Sequence, residues 1–172
     1  MLFRSQWALQ GREKALGAEH TLTLATVHNV ANLYIEQGKL AESEEMLQWA
    51  LQGREKTLGA EHTLTLATVH NVANLYVEQG KLAEAEEMYQ RVLQGYDKAL
   101  GAGNIATYIP ALNTMSGLGS LFERRADLRK AKIMYSKALL GYEKVVGPDH
   151  RRSQSLQGKL HALATKTENM AL

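Results

Sequence analysis

The sequence predicts an all-α solenoid built from antiparallel helix pairs. The segment Leu9–Ala50 is repeated almost letter for letter as Leu51–Val92, and only six of the 42 paired positions differ. A fixed period of this length is typical of stacked repeat proteins, in which each repeat buries its apolar face against the next one. Within a repeat, apolar residues recur at the three- and four-residue spacing of a helix face.

Each repeat is predicted to hold two helices joined by a glycine turn. We expect a single repeat domain over 1–172, divided into a half repeat at 1–16, full repeats at 17–58, 59–100 and 101–146, and a C-terminal capping helix at 147–172. The half repeat follows from the match of 7–11 to 49–53. It corresponds to the second helix of a repeat whose first helix precedes this sequence, which suggests a fragment of a longer array.

Glycine and proline set the predicted helix bounds. Gly38 and Gly80 supply the left-handed backbone that a helix C-terminus needs, and Ala126 stands in their place in the third repeat. Pro110 suits the first turn of a helix and is costly in its interior. The predicted helices are Met1–Leu16, Thr21–Gln37, Leu40–Leu58, Thr63–Gln79, Leu82–Leu100, Ile109–Arg125, Leu128–Val146 and Asp149–Lys166.

Side-chain size and charge predict how the two helices of a repeat pack. The small residues Ala31 and Ser43 should let the helix backbones approach closely, while Tyr34 and Leu47 fill the space beside them. Charged residues of the second helix, including Arg54, are expected to face solvent.

The composition excludes several classes of function. The net charge is +2 with both signs interspersed, so no single-sign block points to nucleic acid or to an anionic membrane. The absence of Cys excludes a disulfide scaffold and agrees with a reducing compartment, and we expect a cytoplasmic protein. We find no signal peptide and no apolar run that could span a bilayer.

In the second repeat, large, small and aromatic residues and a turn glycine follow one another over two helices, at Val72, Ala73, Tyr76, Gly80, Ala85, Tyr89 and Val92. This pattern resembles the tetratricopeptide repeat. The ordinary repeat has 34 residues, whereas this one has 42. The long form, with GREKxLGxEH between helices, is similar to kinesin light chain and to sensor arrays of fungal NACHT or NB-ARC signalling proteins.

The resemblance implies a right-handed superhelix whose first helices line a concave groove that holds an extended peptide. The groove positions implied for this chain are His28, Asn29, Asn32, Ile35, His70, Asn71, Asn74, Val77, Ser116, Ser120 and Arg124. A carboxylate clamp for chaperone tails is not expected, because His and Ser stand where Lys or Arg would be needed.

The asparagines carry the sharpest hypothesis about this groove. An amide offers both a donor and an acceptor to a peptide backbone, and Asn is a poor helix former that needs a reason to be there. Asn29 and Asn71 align with the family's groove asparagine. The alternative is that they hydrogen-bond neighbouring helices across the repeat interface.

The histidines and tryptophans each allow two interpretations. His28 and His70 are either pH-sensitive groove contacts or solvated polar residues. His20, His62 and His150 precede helices and are assigned a helix-start role in preference to metal binding, because metal ligands must converge. Trp7 and Trp49 are either interface anchors or packing residues.

No constellation for catalysis, metal or cofactor binding is found, and spatial triads remain open at this stage. The sequence therefore predicts a non-catalytic scaffold that binds a protein or peptide in a concave groove. The alternative function is a self-associating sensor or assembly arm of a larger signalling protein, for which a homo-oligomer is expected.

Overall fold

The computed structural model describes residues 2–101 and 103–169, with side chains described for 4–101 and 103–166. This part of the chain contains eight α-helices and a short 3-10 turn, and no strand. The helices are α1 (Leu2–Leu16), α2 (Thr21–Glu36), α3 (Leu40–Leu58), α4 (Thr63–Glu78), α5 (Leu82–Leu100), α6 (Ile109–Arg124), α7 (Leu128–Val146) and α8 (Arg151–Asn169). The all-α prediction is confirmed.

Predicted and observed helix bounds differ by at most three residues. The largest differences are at α8, which begins at Arg151 because the His150 side chain caps it by accepting a hydrogen bond from the Arg152 N–H at 3.2 Å. Pro110 lies in the first turn of α6, as predicted. Ala126 adopts a left-handed backbone with φ 59°, which confirms that it replaces the turn glycines.

The chain forms two compact units that divide within α5, unit 1 at Met1–Met88 and unit 2 at Tyr89–Leu172. The assignment of all 172 residues to one repeat domain stays a prediction. In unit 1, buried aliphatic residues of α2, α3 and α4 form the core. In unit 2, the core of α6, α7 and α8 contains the fully buried rings of Tyr135 and Tyr142.

The close approach predicted between α2 and α3 is present. The Ser43 hydroxyl donates a hydrogen bond to the Ala31 carbonyl at 3.0 Å, and both residues are fully buried. A Cβ added to Gly53 would lie 2.5 Å from the side chain of Leu24, so a larger residue there would force the buried Leu24 to shift. The equivalent Gly11 in α1 has no heavy atom within 4 Å of such a Cβ. This face of α1 is therefore uncovered by the described residues.

A repeated arginine bridge joins successive repeats. Arg54 Nη1 donates to the Leu64 carbonyl at 2.8 Å and to Thr68 Oγ1 at 2.7 Å. The side chain is only 5% exposed, so the expectation that Arg54 faces solvent is wrong. Its long stem is buried while the guanidinium reaches a carbonyl and a hydroxyl, which provide the polar partners that a buried charge requires.

The same bridge occurs one repeat earlier, and a different one joins α7 to α8. Arg12 Nη1 donates to Thr26 Oγ1 at 2.7 Å and to a carbonyl of α2. In unit 2 the arginine position is taken by Tyr96 and Tyr142, and Arg152 of the following helix donates to the Tyr142 hydroxyl at 2.7 Å. Tyr142 in turn donates to Asn113 Oδ1.

Candidate groove on the first helices

The polar positions predicted on α2 and α4 form one cluster within unit 1. Asn71 Nδ2 donates to Asn32 Oδ1 at 2.7 Å and lies 2.9 Å from His28 Nε2. Both hydrogens of this amide are therefore used between α2 and α4. For Asn71 this is the helix-to-helix bonding that the sequence left open as the alternative. Its Oδ1 accepts no hydrogen bond within the described part of the chain.

His28 is the acceptor in this arrangement. Burial first, and then the positive charge of Arg54 and the neighbouring His70, lower the pKa of His28 from 6.5 to about 4. A neutral ring with its proton on Nδ1 leaves Nε2 free to accept from Asn71. His28 Nδ1 is buried and has no hydrogen-bond partner among the described residues.

His70 is more deeply buried, and burial lowers its pKa from 6.5 to about 4 as well. Neither histidine is a solvated side chain, so that interpretation is wrong for both. With pKa values this low, both rings are neutral near pH 7, which also removes a charge change in the physiological range. The cluster is neutral and polar, apart from Arg54 beside it.

The remaining unit 1 positions differ in how far they are accessible. Asn29 is exposed, and its side chain makes no hydrogen bond to other described residues. Asn74 is half-buried and has an interaction within the chain. Ile35 is half-buried against the core of unit 1. Val77, also predicted to lie in the groove, is only 7% exposed and is therefore largely buried.

The unit 2 positions on α6 lie beside a charged network. Ser116 and Ser120 are half-buried and Arg124 is exposed. Ser120 hydrogen-bonds the hydroxyl of Tyr135, which also donates to Glu123 Oε2 at 3.1 Å. Burial, followed by the Glu123 charge, raises the pKa of Tyr135 to about 12, so the phenol stays protonated.

Two lysines of α8 complete this network, and the sequence analysis did not single them out. Lys166 Nζ lies 2.7 Å from Glu123 Oε1, and Lys159 Nζ lies 4.9 Å above the ring of Tyr135. The Lys166 hydrogen bond is the largest cause that lowers the pKa of Glu123. The signal was present in the repeat, because the 88-residue spacing from His62 to His150 places Lys159 at the position of Asn71.

The two tryptophans, equivalent in sequence, lie in different surroundings. Trp7 is 74% exposed. Trp49 is half-buried and packs against a cluster formed by Leu9, Val27 and Ala50. The packing interpretation therefore fits Trp49, whereas the indole of Trp7 is largely exposed.

The histidines before the helices act as caps. His20 and His62 accept hydrogen bonds from Leu22 and Leu64 N–H at 3.2 and 3.1 Å. With the cap at His150 described above, this confirms the helix-start role. Within the described residues no three His, Cys, Asp or Glu side chains gather as a metal site would require.

None of the helices in the described segments combines the length and apolar character needed to cross a bilayer.

Comparison with known families finds the same repeat in two parts of the chain. Family models described as tetratricopeptide repeat match residues 22–98 and residues 111–152. No curated protein sequence matches the chain.

Several solved structures have a similar fold. BtubC (BKLC) from P. vanneervenii superposes with a TM-score of 0.74 at 17% identity over 86% of this chain. A Podosopora anserina kinesin light chain with nearly identical TPR-like repeats gives 0.73 at 22% identity, covering 98% of this chain and 78% of that one. A single-substitution variant of that protein gives 0.70 at 21% identity, covering 98% and 87%. The chain spans only 57% of the length of BtubC.

Proposed function

The chain belongs to the tetratricopeptide repeat family, and from this premise we propose that it binds an extended peptide segment of another protein along α2 and α4. The family is a scaffold fold for protein–protein interaction and is generally non-catalytic. The observation that carries the proposal is the set of side-chain amides on these two helices, in which Asn71 is fixed by its hydrogen bonds to Asn32 and His28 and Asn29 is exposed.

In the proposed complex, two side-chain amides hydrogen-bond the backbone of the bound peptide. Asn29 is exposed and offers both a donor and an acceptor to a peptide backbone. The Asn71 amide hydrogens are already engaged, so this residue contributes its carbonyl oxygen, which can accept a backbone N–H. Side-chain amides read backbone groups regardless of peptide sequence, so specificity comes from the residues around them.

Residues around the amides favour a ligand of mixed polarity. Ile35 supplies a half-buried apolar surface, and Glu36 and Glu78 lie exposed at the ends of α2 and α4. The histidines, being neutral, add no positive charge. We therefore expect peptides with basic and aliphatic residues to bind better than acidic ones, in a cytoplasmic setting.

A library of extended peptides displayed on phage supplies the probe, and recovered peptides are measured by fluorescence anisotropy. Asn29→Ala should weaken binding by about three- to tenfold, the effect of losing one or two ordinary hydrogen bonds. Gln48→Ala, at an exposed position of α3, serves as the matched control and should change nothing. Equal affinity of the Asn29 variant and the wild type for every recovered peptide would refute the proposed groove.

Asn71→Ala provides a second reading of the same site. Because Asn71 also ties α4 to α2, this variant should lose stability in addition to affinity. Measuring its unfolding curve alongside its peptide affinity separates the two effects.

Self-association, as an assembly arm of a larger signalling protein, is the second candidate. The exposed indole of Trp7 favours it, because tryptophan is among the residues most enriched at the energetic centres of interfaces.

A further inference from the structure

The two compact units carry opposite charges although the whole chain is nearly neutral. Residues 1–88 contain 7 Lys or Arg and 12 Asp or Glu, a net charge of −5, whereas residues 89–172 contain 13 and 6, a net charge of +7. Both signs of charge occur in each unit, but the net charge of unit 1 is negative and that of unit 2 is positive.

Part of the positive charge lies along the outer face of α7, where aliphatic side chains are exposed beside it. Ile133 and Leu140 are 50% and 57% exposed, and their seven-residue spacing puts them on one side of the helix. Lys137 and Lys144 fall on the same side, with Lys132 next to Ile133. We call these five residues the α7 face. Its three lysines make no ion pair or hydrogen bond with other described residues.

The same positions in α3 show that packing does not require this composition. An 88-residue spacing relates the two helices, and the buried positions keep their character, with Ala50 matched by Ala138. On the other side of the helix, the exposed Glu45 and Gln52 give way to Ile133 and Leu140, and the half-buried Glu44 gives way to Lys132. An exposed carboxylate, an exposed amide and a carboxylate that accepts a hydrogen bond from Gln79 are thus replaced by a basic and apolar surface.

We propose that the α7 face binds the outer face of α3 in a second copy of this chain. In α3, Glu42 and Glu45 are exposed and have no partner within the described residues. Trp49 lies one turn beyond Glu45 and is half-exposed. An acidic stripe with an aromatic side chain complements a basic stripe with aliphatic ones in both charge and polarity.

Charge separation within one chain makes a second copy the occupant that the observations favour. The acidic unit of one molecule attracts the basic unit of another, and such complementarity raises association rates and fixes orientation. The contact joins two different surfaces, so each copy retains one free face of each kind. Association is then head-to-tail and gives open-ended chains unless the rotation closes a ring. It does not depend on peptide binding by α2 and α4.

Sedimentation velocity over a concentration series tests the proposal with the complete chain. At ~50 mM salt the wild type should form dimers and larger species, and these should dissociate at ~500 mM, where exposed charges are screened. Lys132→Glu with Lys137→Glu should weaken association at least about tenfold, because like charges placed together oppose binding. Glu42→Lys with Glu45→Lys should do the same.

Mixing the two double variants is the decisive measurement. Each carries one reversed face, so the pair should associate with each other although neither associates alone. A triple variant of α8, Arg151→Glu, Gln154→Glu and Ser155→Glu, changes the net charge by the same amount as the α7 variant and should associate like the wild type.

Three outcomes would overturn the proposal: a wild type that is monomeric at every concentration at low salt, variants that associate as the wild type does, or a mixture that fails to restore association. Vesicles of phosphatidylserine and phosphatidylcholine are an added probe. Binding to them by the monomeric wild type, lost in the α7 variant, would identify an anionic membrane as the occupant and would equally overturn it. All substituted positions lie at exposed sites, and circular dichroism verifies that every variant folds.

Discussion

Mild acid should destabilise unit 1 through its two buried histidines. The pKa of His28 and of His70 falls from 6.5 to about 4 in the folded chain. Between these values the unfolded chain binds more protons than the folded one, so the free energy of unfolding rises with pH in this window. The stabilisation is therefore complete above about pH 6.5 and is lost as the pH falls towards 4.

The size of the effect follows from the shift. One pKa unit corresponds to about 1.4 kcal/mol, so a single histidine with this shift loses about 2 kcal/mol of stabilisation between pH 7 and pH 5. For a domain of this size, with a total stability of about 5–15 kcal/mol, that is a large fraction. Protonation of His28 would also place an N–H of the ring against the donating amide of Asn71, which removes the hydrogen bond between them.

Urea unfolding followed by tryptophan fluorescence measures this loss in the right place, because both tryptophans lie in unit 1. His28→Gln keeps an acceptor for Asn71 but cannot be protonated, so its stability should fall by about 2 kcal/mol less than that of the wild type over the same pH range. His161→Gln, at an exposed position of α8, is the control and should behave as the wild type does. Identical pH dependence of the wild type and the His28 variant would refute the reasoning.

Five further substitutions test the backbone conformation and the packing. Ala126→Gly should raise the melting temperature, because it relieves a left-handed backbone that costs an L-residue about 1 kcal/mol; an unchanged or lower value would contradict this. Gly53→Ala should destabilise the chain by about 1–3 kcal/mol through overpacking, whereas Gly11→Ala should stabilise it by up to about 1 kcal/mol. Urea unfolding midpoints that shift in the same direction in both variants would contradict these two predictions. Arg54→Met should lower the free energy of unfolding by about 2 kcal/mol, and Arg12→Met should lower it by less because Arg12 is more exposed. Equal losses of melting temperature in the two variants would contradict this.

The helix bounds were predictable because the residues that start and end each helix act locally. Gly38, Gly80 and Pro110 act through their own backbone conformations, and the histidine caps act over two residues. These features depend only on a few neighbouring residues in the sequence and not on which helix packs against them.

Environment was harder to predict, because equivalent residues with the same sequence around them differ in what covers them. Asn29 is exposed while Asn71 is held between two helices, and Trp7 is open while Trp49 is packed. Within the described residues, a helix of the preceding repeat contacts the second copy in each case, α2 at Asn71 and α1 at Trp49. Arg54 was predicted to face solvent because it is charged. It is buried because its guanidinium reaches a carbonyl and a hydroxyl of the next helix, which the sequence spacing does not show.

The arginine bridges make the junction between repeats interchangeable. Arg12 meets α2 as Arg54 meets α4, through the same kinds of atoms. A further copy of the 42-residue repeat inserted between them would find a matching junction on both sides and would leave no polar group stranded. At the junction of α7 with α8 the arginine lies on the other helix, because Arg152 of α8 donates to Tyr142 of α7. A 42-residue repeat inserted there would therefore lack the arginine bridge. Duplication of the 42-residue repeat is therefore compatible with the arginine junctions and incompatible with the junction of α7 with α8.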